Sequence, residues 1–299
     1  MIMNSSFLTD AAILLGPVTA IGSQKTDFSK SDGRVVRSLS TLNNYVQCVA
    51  HFLKWRFITT GLLPDSPILL SECYDYLDSA STTCTQPTLD QKRLALETVI
   101  GYKLQGIESE IIALHQSRAL TQNQYKVVLQ QLSSVHRFII LLCLCTGLRV
   151  AEIAQLPPMG WLQRSPHRQW LPNLFLGQSD AQIRIVIGKG RLLRPIGIPP
   201  QFLDELESFA LPSPELFLDR KIVRERFYAF PTSQTISQSF AMAACEALGY
   251  SPGAHSTRHF FAQDLLQRLV RQGMSVFDCL PIVSQRLGHF DPSVTYAYF

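Results

Sequence analysis

A mainly α-helical protein with a small β-hairpin, divided into a helical N-terminal domain and a mixed α/β C-terminal domain, is the fold class this sequence predicts. Two observations predict it. Apolar residues recur at helical spacing over most of the 299 residues. The stretch "AQIRIVIGKGRLLRPIGIP" switches to alternation around a pair of glycines. Charge also divides unevenly, with 10 Lys+Arg against 11 Asp+Glu through residue 118 and 17 against 12 beyond it. Hydrophobic residues make up 46% of the chain, enough for a sizeable core.

In chain order, residues 1–36 are rich in Ser, Thr, Gly and Asp and read as a loosely ordered arm with at most one short helix. A helical domain is expected over 37–105. In "STLNNYVQCVAHFLKWRF", Leu42, Tyr45, Val46, Val49, Phe52, Leu53 and Trp55 fall at helical spacing behind a Ser/Thr cap. Further helices are expected in "ILLSECYDYLDSA" and in "TLDQKRLALETVIGYKLQ", the latter capped by Thr88 or Asp90. A linker over 106–119 precedes a second domain over 120–299. That domain opens on helices, the first capped by Thr121, and continues into a hairpin with Lys189 near its turn. Ile183, Ile185 and Ile187 alternate there with residues expected to face outward. Helical spacing returns in "SQSFAMAACEALGY" and in "RHFFAQDLLQRLVRQG", where Phe261, Leu265 and Leu269 share a face.

The apolar stretch "AAILLGPVTAIG" follows no Lys or Arg and is too short to span a bilayer, so neither export nor a membrane span is expected. Seven cysteines without C-x-x-C spacing argue for reduced thiols in a cytoplasmic protein. The net charge of +4 does not by itself announce nucleic-acid binding. Beyond residue 118, however, Arg far outnumbers Lys, and a guanidinium grips phosphate oxygens bidentately.

Four stretches of the second domain hold polar residues that an ordinary core does not ask for. In "TGLRVAEIAQL", Gly147 can end a helix, leaving Arg149 in the first turn of the next with Glu152 three residues on. Arg149 there suits an anion at a helix N-terminus, although taken alone a surface pair with Glu152 is the better reading. Lys189, between Gly188 and Gly190, is either a deliverable cation or a solvated hairpin tip. In "HSTRHFF", His255 and Arg258 share a helical face, with His259 one turn from His255. A zinc hydrolase needs a Glu where Ser256 stands, and Arg258 opposes a divalent ion, so donation to a phosphate is the better reading. Last, "LGHFDPSVTYAYF" places His289 nine residues before Tyr298, with Tyr296 between them.

The order "TGLRVAEIAQL", "GKG", "HSTRH", "LGH" and a tyrosine nine residues later resembles the catalytic domain of the tyrosine recombinases, the phage-integrase family. The match spans roughly residues 120–298, and the pattern from Thr41 to Tyr45 resembles that family's helical core-binding domain. The resemblance implies a site-specific recombinase that works through a 3′-phosphotyrosyl intermediate. No metal, cofactor or ATP takes part. Arg149 and Arg258 clamp the scissile phosphate, His289 donates to it, His255 transfers a proton and Lys189 protonates the leaving 5′ oxygen. Tyr298 is the nucleophile by its spacing from His289, and Glu152 supports Arg149. The implied partner is double-stranded DNA at specific recombination sites, clasped between the two domains and exchanged by a homotetramer. In the family the chain usually continues past the nucleophile into a helix that docks on a neighbouring protomer, whereas here only Phe299 follows Tyr298. The alternatives are a type IB topoisomerase-like enzyme, a DNA-binding protein with the same fold and weak catalysis, and a metal-dependent hydrolase.

Overall fold

Short polar side chains cap six of the twelve α-helices among the described residues. Residues 2–23, 35–111, 118–178, 180–188, 191–219 and 222–299 are described by a computed structural model. The chain divides into two compact units, Met1–Leu114 and His115–Phe299. Among the described residues, no helix is long and apolar enough to cross a membrane.

The first unit is helical: α1 (Ile2–Leu15), α2 (Leu39–Thr60), α3 (Leu70–Ser81) and α4 (Gln86–Ile100). Helix α2 begins where the Ser38 hydroxyl accepts the Thr41 amide at 3.0 Å. Helix α4 starts earlier than expected. Thr85 precedes its first turn, Pro87 stands within that turn, and Thr88 and Asp90 lie inside the helix rather than capping it. Much of the expected loose arm is also regular. In α1, Phe7, Ala11 and Leu15 recur every fourth residue and enter one core with Val49, Phe52 and Leu53 of α2 and Leu96 of α4. Asn4, Ser5, Ser6, Thr9 and Asp10 give the segment its polar composition, which hides this narrow apolar stripe from a reading by composition. Residues 24–34 of that arm lie outside the described residues.

Arg56 is buried in this unit. Its Nε donates to Glu72 Oε1 at 2.9 Å, and its terminal nitrogens donate to the carbonyls of Leu63, Ser66 and Pro67. One guanidinium thus ties the end of α2 to the loop and first turn of α3. Replacing Arg56 by Ala leaves Glu72 and three carbonyls without their donor, and the expected cost is roughly 3–5 kcal/mol. Chemical denaturation of the variant, followed by the fluorescence of Trp55, checks it.

The second unit contains α5 (Gln122–Gln130), α6 (Ser134–Thr146), α7 (Val150–Ile153), β1 (Gln182–Ile187), β2 (Leu193–Ile198) and α8 (Leu203–Ser208). These are followed by β3 (Ala210–Asp219), β4 (Ile222–Tyr228), α9 (Ser233–Leu248), α10 (Ser256–Arg271), α11 (Val276–Leu287) and α12 (Pro292–Thr295). Thr121 caps α5 as expected, in a reciprocal box with Gln124. Helix α6 is the centre of the unit. Its Phe138, Ile139, Ile140, Leu142 and Cys143 are buried, and it packs on α5, α9, α10 and β2. Phe261, Leu265 and Leu269 of α10 face a core shared with Cys279, Ile282, Val283 and Leu287 of α11.

The hairpin forms where expected, but its faces are reversed. Val186 and Arg184 point inward, whereas Ile183 and Ile187 are 42% and 41% exposed. Two arginines decide the phase: Arg184 is neutralised by Glu207 and the Tyr228 hydroxyl, and Arg194, opposite Val186, is neutralised by Glu152. A second antiparallel pair, β3 with β4, was not foreseen; its Leu216, Leu218 and Val223 alternate but face outward. Helix α11 also escaped the sequence reading. Pro281 interrupts its pattern and removes one amide donor, a local loss that its buried apolar face offsets.

Candidate active site

The site assembles around the sharp corner between α6 and α7. Gly147 ends α6 at φ 67°, and a Cβ there would lie 2.4 Å from the Phe261 ring. Only glycine fits both the backbone and the space. Just beyond the corner, Glu152 Oε2 accepts the Arg149 amide at 2.8 Å and Oε1 accepts Arg149 Nη1 at 2.8 Å. The surface pair considered for these two residues is therefore present, yet it is not a surface feature. Glu152 is buried, and its Oε2 also accepts Arg194 Nη2 at 2.6 Å. Burial alone raises the Glu152 pKa, but Arg194, Arg258 and Arg149 outweigh it and bring the carboxyl down to about 2.

Arg258, in the first turn of α10, is fully buried. Its Nη1 donates to the Gly147 carbonyl at 2.5 Å, Nη2 to the Leu287 carbonyl, and Nε to the Tyr298 hydroxyl at 3.4 Å. Burial and the neighbouring Arg149 and Arg194 lower it to about 10, which leaves it cationic at neutral pH. Two arginines thus hold the last carbonyls of α11, because Arg194 Nη1 donates to the Arg286 carbonyl at 2.6 Å. Cations at a helix C-terminus are favourable for both the orphan carbonyls and the dipole. The chain then turns at Gly288 and presents His289, whose Nε2 lies 3.5 Å from both Arg258 Nη2 and the Tyr298 hydroxyl.

The tail is ordered by its own small caps. Asp291 accepts the Ser293 amide at 2.8 Å to start α12, a single tight turn over Tyr296–Tyr298 follows, and Gln263 donates to the Tyr298 carbonyl at 2.8 Å. Tyr298 is 6% exposed and packs against the rings of His259 and His289, with centroids 4.4 and 5.4 Å away. Tyr296 is 58% exposed. His255 stands just before α10 with its ring centroid 6.1 Å from that of Tyr298. Lost hydration and then the nearby arginines, Arg258 foremost, push both His255 and His289 down to about 4, so both rings are neutral at pH 7.

Arg149, Glu152, Arg258, His289 and Tyr298 therefore converge, with His255 beside them. Lys189 lies outside the described residues. A cavity of about 220 Å³ opens between Arg149 and His289, lined also by Gly188, Leu192, Arg194, Gly288 and Val294. His255 and His259 are one turn apart with centroids 5.5 Å distant. Among the described residues no three His, Cys, Asp or Glu side chains are grouped to hold a metal ion. The sequence reading missed Arg194. The signal lay in the strand alternation, which marks Arg194 as inward once the hairpin's phase is known.

No protein-family model and no curated protein matches the chain. Solved structures do. The XerH site-specific recombinase bound to palindromic difH substrate, in a post-cleavage complex, matches with a TM-score of 0.56 and 18% identity over 87% of this chain and 76% of that one. A lambda integrase (75–356) dimer bound to a COC′ core site matches with a TM-score of 0.52 and 18% identity over 98% of this chain and 94% of that one. A lambda integrase tetramer bound to a Holliday junction gives 0.52 and 17%, over 98% and 76%. The fold of this chain is that of the tyrosine recombinases: mainly helical, with small antiparallel sheets in the second unit.

The corner at Gly147 is open to a direct check. Gly147→Ala combines a left-handed alanine with a clash against Phe261, and the expected loss of stability is roughly 2–4 kcal/mol. A lowered urea midpoint with an unchanged slope reads it.

Proposed function

We propose that this chain, folded as a tyrosine recombinase, is a site-specific DNA recombinase that cuts and rejoins DNA through a covalent link to Tyr298. The observation that carries the reading is the Tyr298 hydroxyl itself, 3.4 Å from the Nε of a buried arginine and 3.5 Å from His289 Nε2. A tyrosine held as mere packing does not need two phosphate-binding donors at its oxygen.

In this reading the scissile phosphate enters the cavity between Arg149 and His289. Arg149 and Arg258 neutralise the charge that builds on the non-bridging oxygens as a fifth ligand arrives, and the His289 ring N–H donates to one of them. In the free protein the Tyr298 hydroxyl occupies Arg258 Nε, so the phosphate oxygen takes that donor over and the hydroxyl shifts into line with phosphorus. The Tyr298 oxygen bonds to phosphorus, its proton passes to His255, and the bond to the 5′ oxygen breaks while Lys189 protonates that oxygen. The phosphotyrosyl ester keeps the bond energy for resealing, and neither ATP nor a metal is consumed. Exchange follows when the attacking 5′ hydroxyl comes from a second duplex. A homotetramer on paired sites is the assembly that carries this out, and the lambda integrase tetramer on a Holliday junction has the same fold. The excess of arginine in the second unit suits phosphate contacts whose strength falls steeply with salt.

Incubation with a pool of randomised duplexes, each nicked so that the short fragment bearing the freed 5′ hydroxyl diffuses away, traps the covalent species and reports the recognised site. Peptide mapping is expected to place the DNA on Tyr298. Tyr298→Phe abolishes the adduct, Tyr296→Phe leaves it within about twofold, and Arg149→Ala or Arg258→Ala slows it by roughly a hundredfold or more. DNA found on Tyr296, or no adduct from any duplex, refutes the assignment.

The second-order rate of adduct formation reports ionisations of the free protein. Both histidine pKa values are lowered to about 4, so each ring stays neutral until the pH falls toward that value. The rate is therefore expected to hold level from about pH 8 down to about pH 5.5 on their account. A decline centred near the ordinary histidine value of about 6.5 contradicts this.

A further inference from the structure

We propose that Arg194 is a positioning residue for this site: anchored on β2, it locks Glu152 to the C-terminal end of α11 and thereby sets how Arg149 and His289 face the cavity. Its catalytic consequence rests on the phosphotyrosyl reading above, whereas its geometry does not.

Arg194 has no exposed surface, and its two terminal nitrogens reach two separate pieces of the site from a third, the hairpin that carries it. Nη2 donates to Glu152 Oε2 at 2.6 Å and lies 3.5 Å from the Gly147 carbonyl, while Nη1 donates to the Arg286 carbonyl at 2.6 Å. The corner carrying Arg149, the helix end carrying His289 and the hairpin leading to Lys189 therefore meet on one guanidinium. Gly288 shows how closely they meet. At φ 78° it has no side chain where a Cβ would lie 2.9 Å from Arg194 Cδ, so α11 can end here only by passing against the arginine's stem. At Gly188, just after β1, a Cβ would meet the Leu192 carbonyl oxygen at 3.2 Å and would only touch Glu152 Oε1, at 3.4 Å.

Glu152 has two oxygens and two guanidinium partners. Oε1 takes the Arg149 side chain, while Oε2 takes both the Arg149 amide and Arg194, so the carboxylate that aims Arg149 is held from its far side by Arg194 together with that amide. Remove Arg194, and the carboxylate can rotate, take up a proton or draw Arg149 inward. A lysine restores the charge but not the fork, because one ammonium cannot reach along two divergent directions as a planar guanidinium does. Stability alone does not separate positioning from packing, since exchanging a buried ion-pair member for a hydrophobic residue alters stability in either case.

The test uses the full chain with ¹⁵N-labelled arginine, and reads the Arg149 Nε–H resonance identified by its loss in R149K. In R194M this resonance is expected to move or broaden, and in R194K to return part of the way. With the duplex recovered by trapping, R194M is expected to form adduct roughly 10- to 100-fold more slowly while its DNA affinity stays within about twofold. R194K should recover part of the lost rate. R194M/E152Q should be no slower than E152Q alone, because both substitutions break one linkage. An Arg149 resonance in R194M that coincides with the wild-type one, or rate penalties of R194M and E152Q that add in full, overturns the proposal. If the wild-type chain forms no adduct while the resonance responds, positioning stands and the recombinase reading falls. Cleavage by the wild type with an unresponsive resonance sinks positioning alone. R194Q serves the same readings should R194M fail to fold.

Discussion

One buried carboxylate among three guanidiniums governs the second unit. Taking Arg194 and Arg258 wholly out of water costs several kcal/mol each unless every donor finds an acceptor. Among the described residues Glu152 supplies the formal counter-charge, shared with Arg149, and the carbonyls of Gly147, Arg286 and Leu287 accept from the terminal nitrogens, while Arg194 Nε is buried without a partner. The result is a site with a surplus of fixed positive charge. In the interior of an ordinary domain that surplus is a defect, because uncompensated charge is destabilising and the nearby histidines are driven neutral. In the proposed reading, an arriving phosphodiester would complete the charge balance that the free protein leaves open.

The same constraint explains the local architecture. Helices α6 and α11 both end at glycines in the left-handed region, and both ends turn their last carbonyls toward the two buried arginines. A bulkier residue at Gly147 would strike Phe261, and one at Gly288 would strike Arg194. Backbone conformation and charge placement are thus one requirement, met twice. The tail follows from it: once α11 ends at Gly288, His289 emerges beside Arg258, and the short α12 with its following turn returns Tyr298 to the same guanidinium.

Local chemistry made much of this legible in the linear sequence. Apolar spacing located α2, α3, α9 and α10, and the hydroxyls of Ser38 and Thr121 marked helix starts that the structure contains. Arg149, Glu152, Arg258, His289 and Tyr298 stood out as polar residues at odds with an ordinary core, and the structure brings them together. Composition did not locate the apolar stripe of α1, and the reading by isoleucine alternation failed. Helix α1 hides three core residues among polar ones, and β1 turns its isoleucines outward because Arg184 and Val186 have better partners inside.

What the sequence by itself determined were the polar groups that the structure brings together and the local signals that start and stop helices, because caps and periodicity act over a few residues along the chain. Only the tertiary structure decided which face of the hairpin is inside, that Tyr298 rather than Tyr296 meets the arginine, and that Arg194 belongs to the site. Each depends on contacts between segments far apart in sequence, where a buried charge accepts only the arrangement that supplies its partners.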